Sequence, residues 1–215
     1  MRGITIIKDN EKVHTGDDLD LVQTSKDIGM PDVQSYLVEV PGRNGLLNLT
    51  KGLTGEVTYQ NRTLKFTYVG IGNREDLLEV LDQFNNYHGE TLEIIDDDTN
   101  DYYYTGEATV KSSWSNNILT IELDVNADPF RLALVADTIK TSLALSGKDL
   151  VIANYGVTVA PVITVEDHAT IKVGSNSYDF GAGTYQGDIK LKTGANTFVV
   201  SGSGSLTITY REAKI

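Results

Sequence analysis

Cysteine is absent from the chain, and histidine occurs only three times, at His14, His88 and His168, far apart in sequence. The first absence removes disulfides, thiolate nucleophiles and Cys-ligated zinc together. The second leaves imidazole chemistry little material. Positive charge is also scarce: 18 Lys and Arg face 30 Asp and Glu, a formal charge of −12. Phosphate contacts need cations in surplus, so this balance argues against a protein that grips nucleic acid or an anionic membrane. No run approaches the roughly 18 apolar residues of a spanning helix. The opening MRGITIIKDN is too polar for a secretory h-region, so neither a membrane span nor a signal peptide is expected. Gly-x-Ser-x-Gly elbows and Walker-type lysine loops are missing. Gly181-x-Gly183 followed by Gly187 imitates a dinucleotide fingerprint, but its last spacing is wrong and no helix follows. Thirty acids always permit some carboxylate pair, yet glycoside hydrolysis also wants an aromatic-lined cleft. The one Trp, Trp114, reads as a sheet-face anchor. We therefore expect no enzyme, no catalytic residue and no cofactor.

What remains is mostly strand. The 215 residues are enough for one large domain or two small ones. Charge and texture change together along them: residues 1–135 hold 11 basic and 23 acidic side chains, whereas residues 136–215 hold 7 of each. Leu64, Phe66 and Tyr68 alternate with polar residues, as do Leu119, Ile121, Leu123 and Val125, so each strand has one wet face. After residue 136 the alternating pairs are shorter (Ile171 and Val173, Ile189 and Leu191, then Leu206, Ile208 and Tyr210). Gly-, Asn- and Ser-rich turns divide them, a spacing that suits a small antiparallel sandwich. One helix is predicted from about Arg74 to Tyr87, capped by Asn73 and closed by Gly89, with Leu77, Leu78, Leu81 and Phe84 as its apolar stripe. The expected fold class is mainly β: an N-terminal antiparallel β domain with one α-helix (1–135), followed by a small β-sandwich (136–215).

Two local patterns stand out. With Asp96 as position 1, Asp98, Asn100 and Glu107 fall at positions 3, 5 and 12 of a calcium loop. Position 6 is Asp101 rather than Gly, and the flanks are strand-like, so a hairpin turn rich in Asp and Asn is the preferred reading and no metal is assigned. The second is Pro41-Gly42-Arg43-Asn44-Gly45. Pro fixes one φ and the glycines permit positive ones, so the chain can reverse after a strand from Val33 to Val40 and carry Arg43 at the tip. That guanidinium is either a solubilising charge or a fork aimed at a carboxylate of a neighbouring subunit. The stretch Gln23 to Pro31, short of apolar residues, reads as a flexible belt that orders only on assembly.

Taken in order, these segments resemble the distal tail proteins of siphophages, the long-tailed, non-contractile bacteriophages, and of related prophages. The resemblance runs through Val40 to Gly45, Asn61 to Phe66, the helix Leu77 to Phe84, the acidic turn entering Tyr102-Tyr103-Tyr104-Thr105-Gly106, and Asp128-Pro129-Phe130. It continues through Asn154-Tyr155-Gly156, Pro161 to Val165, Gly194 to Phe198 and Leu206 to Tyr210. Order and spacing carry it.

The resemblance implies a structural virion protein at the distal end of the tail, assembled in the cytoplasm of the bacterial host. Its first domain would form a hexameric ring around a channel for DNA exit, and its second would be a galectin-like sandwich. Its partners would be itself, as a homohexamer, then the tail tube protein and the baseplate hub or tail-associated fibre protein. DNA would pass through unbound, past about −72 formal charges from six copies, and no membrane would be involved. Pro41, Gly42, Arg43, Asn44, Gly45 and Arg62 are the candidate subunit interface. The alternative is a carbohydrate-binding adhesin recognising the host cell surface, with Tyr155, Tyr178 and Tyr185 stacking on a sugar.

Overall fold

The structure, a computed structural model, describes residues 2–50 and 55–215. The chain divides into two compact units, Met1–Arg131 and Leu132–Lys214. Both are built almost wholly from antiparallel strands.

In the first unit the strands are β1 (Ile4–Lys8), β2 (Glu11–His14), β3 (Val22–Ile28), β4 (Leu37–Val38), β5 (Leu47–Asn48) and β6 (Arg62–Ile71). After the helix α1 (Arg74–Asn85) come β7 (Thr91–Asp96), β8 (Tyr102–Ser115) and β9 (Ile118–Ala127). The main sheet runs β2-β1-β7-β8-β9-β6-β3, so β2 and β3 stand at its two ends. The alternation expected of β6 and β9 is present: Leu64, Phe66, Tyr68, Leu119, Ile121, Leu123 and Val125 are all buried, whereas Lys65 and Glu122 are exposed. Register matters as much as pattern. Gly106 on β8 lies opposite Ala127 on β9, and a Cβ there would meet the Ala127 Cα at 2.5 Å. Only glycine lets the backbones approach this closely.

The helix covers the buried face of the sheet. Asn73 caps it, its side chain accepting from the Glu75 N–H, and Glu75 and Asp76 sit in the first turn, where the dipole favours anions. Phe84 packs beside Tyr68 and Tyr87, with ring centroids 6.0 and 5.7 Å away. Leu77 lies over Gly70, where a Cβ would come within 2.6 Å of its Cδ2. Two details differ from expectation. Leu78 is exposed, because the stripe in contact with the sheet is narrow and centres on Leu77 and Phe84. The helix ends at Asn85, and Gly89 (φ +80°) serves the next connection instead, its N–H donating to the Ala108 carbonyl.

The stretch expected to be a loose belt, Gln23 to Pro31, is largely strand. β3 pairs with β6, with an irregularity between Gln23 and Ser25. Ile28 packs on the core and Lys26 reaches a buried carboxylate, which together offset the ordering entropy of a polar segment. Conversely, the strand expected from Val33 to Val40 shrinks to β4. Its residues have β-forming side chains but no core to face, so pairing stops after Leu37 and Val38.

The second unit begins at Leu132, within the short β10 (Arg131–Ala133). It continues with β11 (Asp137–Ser142), β12 (Lys148–Asn154), β13 (Val162–Val165), β14 (His168–Val173), β15 (Asn176–Phe180), β16 (Gly183–Gln186), β17 (Gly194–Ser203), β18 (Ser205–Tyr210) and β19 (Ala213–Lys214). Two four-stranded sheets, β11-β18-β13-β16 and β12-β17-β14-β15, enclose a core of Ile152, Ile163, Ile171, Phe180, Leu191, Phe198, Val200, Leu206 and Ile208. Asn154 ties the unit together. Fully buried, it donates to the carbonyls of Val157 (2.8 Å) and Leu191 (3.0 Å) and accepts from Gly156 N (3.1 Å). Gly156 has no room for a side chain, since a Cβ would stand 2.1 Å from the Ala213 oxygen. The motif Asn154-Tyr155-Gly156 is thus a packing device.

Candidate functional site

The described residues 30–50 and 55–57 form a small arm. At its base Gln34 N donates to the Thr58 carbonyl and Gln60 N to the Asp32 carbonyl, both at 2.8 Å. Further out Leu49 N donates to the Tyr36 carbonyl (2.8 Å), and Tyr36 N donates to the Thr50 hydroxyl (2.6 Å). Then β4 and β5 pair for two residues each, and the chain turns through Pro41 to Gly45, where Gly42 and Gly45 take φ of +82° and +79°. All five turn residues are exposed, Arg43 among them.

The arm is apolar as well as exposed. Tyr36 is 62% exposed, and Met30, Val33, Leu37, Val38, Leu46 and Val57 are exposed beside it in sequence. Isolated surface hydrophobes need no explanation, whereas a whole segment of them left in water is unusual. Sequence reasoning found the turn and missed these flanks. The available signal was an apolar run with no complementary run to pair it on both sides.

Arg62 does not join this surface. Its side chain is buried, at 4% relative exposure, and its Nε donates to the Gly29 carbonyl at 2.8 Å while the guanidinium lies 5.2 Å from the Tyr104 ring centre. Burial pulls its pKa down, with Tyr104 opposing the shift. A guanidinium spent inside its own fold cannot reach a neighbouring subunit.

The acidic turn is an ion-pair clasp. Asp96, only 3% exposed, ends β7 and receives the Lys26 ammonium on both oxygens, at 3.0 and 2.9 Å. Lys26 also meets Asp98, which pairs in addition with Arg2. Burial alone would lower the Lys26 pKa, but hydrogen bonds to Asp98 and Asp96 outweigh it and the pKa rises. The same bonds from Lys26 and Arg2 hold the Asp98 carboxyl below the usual range. Asp97 accepts from Gly3 N at 2.8 Å and faces His14 Nε2 at 3.2 Å. Because His14 Nδ1 accepts from Asp17 N, Nε2 carries the proton and donates to Asp97.

The four calcium-loop positions are not assembled. Asp96 and Asp98 face cations, Asn100 follows the short 3-10 turn Asp97–Thr99, and Glu107 sits exposed on β8 opposite Asn126 and Thr91. Among the described residues no group of three or more acidic or His side chains is arranged to hold a metal. Lys26 and Arg2, distant in sequence, were invisible to a local motif.

The three tyrosines of the adhesin alternative are not one platform. Tyr155 is exposed after β12. Tyr178 and Tyr185 lie on strands of different sheets, both packed on the core, with Tyr185 held 4.9 Å from Phe180 and donating to the Gly181 carbonyl. Trp114 is half-buried against the core beneath the Arg74 guanidinium, 4.6 Å from its ring centre.

No family model matches the chain, and no curated protein matches it. Among solved structures, the fold matches the Dit protein (gp 19.1) of SPP1, described as a paradigm of the hub adsorption apparatus in phages infecting Gram-positive bacteria. The TM-score is 0.68 at 14% identity, and the match covers 99% of each chain. The likeness is one of fold, and it spans both units.

Proposed function

We propose that this chain is a distal tail protein: a structural, non-enzymatic component of a siphophage tail tip. Six copies close into a ring through the first unit, joining the tail tube to the tail-associated or receptor-binding apparatus and leaving a bore for DNA. The observation that carries this reading is the fold match to Dit over nearly the full length of both chains.

Two features of the chain support it. A closed ring uses a head-to-tail interface, so each subunit must offer two different surfaces. The first unit has strands β2 and β3 at opposite ends of its sheet, and it has the apolar arm. The acid surplus of residues 1–135 then becomes useful, because like charge around a bore keeps a passing polyanion from adsorbing. The adhesin alternative draws no support from three tyrosines on separate surfaces.

Light scattering on the purified full chain tests the reading. We expect a ring-sized particle that falls to monomer on deletion of residues 42–45, with R43A alone weakening it. The variant should unfold within about 0.5 kcal/mol of the parent, since the tip touches no core. A particle that stays monomeric at high concentration before any change overturns the ring. An unchanged ring in the variant removes the arm from the interface.

A further inference from the structure

We propose that Asn44 is a self-modifying position, converting to aspartate or isoaspartate by cyclisation onto Gly45 while the arm is free. Asn44-Gly45 is the single Asn-Gly pair in the chain. In the reaction the Gly45 amide nitrogen, having lost its proton, attacks the Asn44 side-chain carbonyl carbon. A carbon–nitrogen bond forms, the bond to Nδ2 breaks, and ammonia leaves. Water then opens the resulting five-membered imide at one of its two carbonyls, yielding aspartate or isoaspartate.

The structure supplies what this chemistry needs. The attacking nitrogen must be unshielded, and Gly45 is exposed, with no atom of the described residues beyond its chain neighbours within 4 Å of where a Cβ would stand. The backbone must also be free to rotate into the cyclic geometry. The turn's hydrogen bond, Arg43 N to the Val40 carbonyl at 3.1 Å, lies before Asn44, and the nearest strand pairing is only two residues per side. Gly45 sits at φ +79°, a region glycine enters without steric cost, and its missing side chain leaves rotation beside Asn44 unhindered. By contrast Asn176, followed by Ser177, is held in β15 opposite Val173. Arg43 is adjacent, so a new carboxylate would cancel the tip's positive charge. Isoaspartate would also lengthen the backbone at the turn. On the ring reading above, both changes spoil the arm's fit, so chains left unassembled lose competence with age.

Peptide mass spectrometry of the aged full chain decides the chemistry. We expect the mass gain of an NH₂-to-OH exchange on the peptide carrying Asn44, together with a positive isoaspartate-specific methylation assay. The rate should rise about tenfold per pH unit, following amide deprotonation. N44Q should abolish the gain and G45A should slow it several-fold. A gain at Asn44 no faster than at Asn176 overturns the proposal. Light scattering of aged and fresh protein then tests the consequence. Depletion of converted chains from the ring supports it, and equal entry overturns it. Absence of rings in both samples strikes the ring reading instead, while the peptide masses still decide the modification.

Discussion

The two units solve the same problem, burying one face of antiparallel strands, in opposite ways. The second closes on itself: two short-stranded sheets cover each other, and one buried Asn satisfies the backbone of the connecting loop. Its formal charge from residue 136 onward is zero. The first unit spreads a single sheet under one helix, gathers the acid surplus, and leaves an apolar arm in solvent. The second unit also leaves Val135, Leu145, Val151, Tyr155 and Val199 exposed, but on separate strands and connections rather than along one segment. Apolar side chains gathered in one stretch of the first unit hold association free energy in reserve.

Trp114 allows the units to be followed apart, because the one Trp lies in the first unit and its fluorescence reads that unit's unfolding. The largest effect should come from F84A. Removing a fully buried ring that bridges helix and sheet should cost about 3–5 kcal/mol in the Trp-reported transition. If the second unit's transition, followed by circular dichroism, moves equally, the units are not independent.

N154A is the converse, expected to cost the second unit about 2–3 kcal/mol by leaving the Val157 carbonyl and the Gly156 N–H without this partner, while the Leu191 carbonyl keeps its bond from Val159 N. Trp fluorescence should barely change.

The smallest effect is the pH dependence of the acidic clasp. The Asp98 pKa is lowered in the folded state, so its contribution is present above the ordinary carboxylate value and fades as pH falls through the depressed one. The Lys26 pKa is raised, so its contribution is present below the ordinary lysine value and is lost as pH rises through the elevated one. Denaturation midpoints by Trp fluorescence should therefore weaken at both extremes, and D98N should flatten the acid limb most and soften the alkaline limb as well, because Asp98 is one of the groups that raise Lys26. An unchanged acid limb in D98N would show the clasp to be idle.

Much of this architecture was legible residue by residue. Period-two alternation located β6, β9, β14 and β18, and Asn73 marked where the helix begins; Ile189 and Leu191 alternate but form no strand, Leu191 making a single bridge to Val159. The functional surfaces were harder. Pro41 to Gly45 announced a turn, but its flanks looked like an ordinary strand, since β propensity in Val33 to Val40 says nothing about whether a core lies opposite. The calcium spacing was present and misleading: Asp96 and Asp98 are neighbours along the chain, while the cations that neutralise them come from residues 2 and 26. Arg62 read as part of the subunit interface and is buried, because Gly29, Pro129 and Tyr104 converge on it from three distant segments.

By itself the sequence determined the class of fold, the helix and its cap, the glycines at sharp turns and the uneven charge. Each of these depends on local geometry or on simple counting. Only the tertiary structure decided which polar residues are satisfied, which strand stops short and which apolar side chains stay in water. Those outcomes turn on what lies across a contact, and partners tens of residues apart leave no periodic trace in the chain.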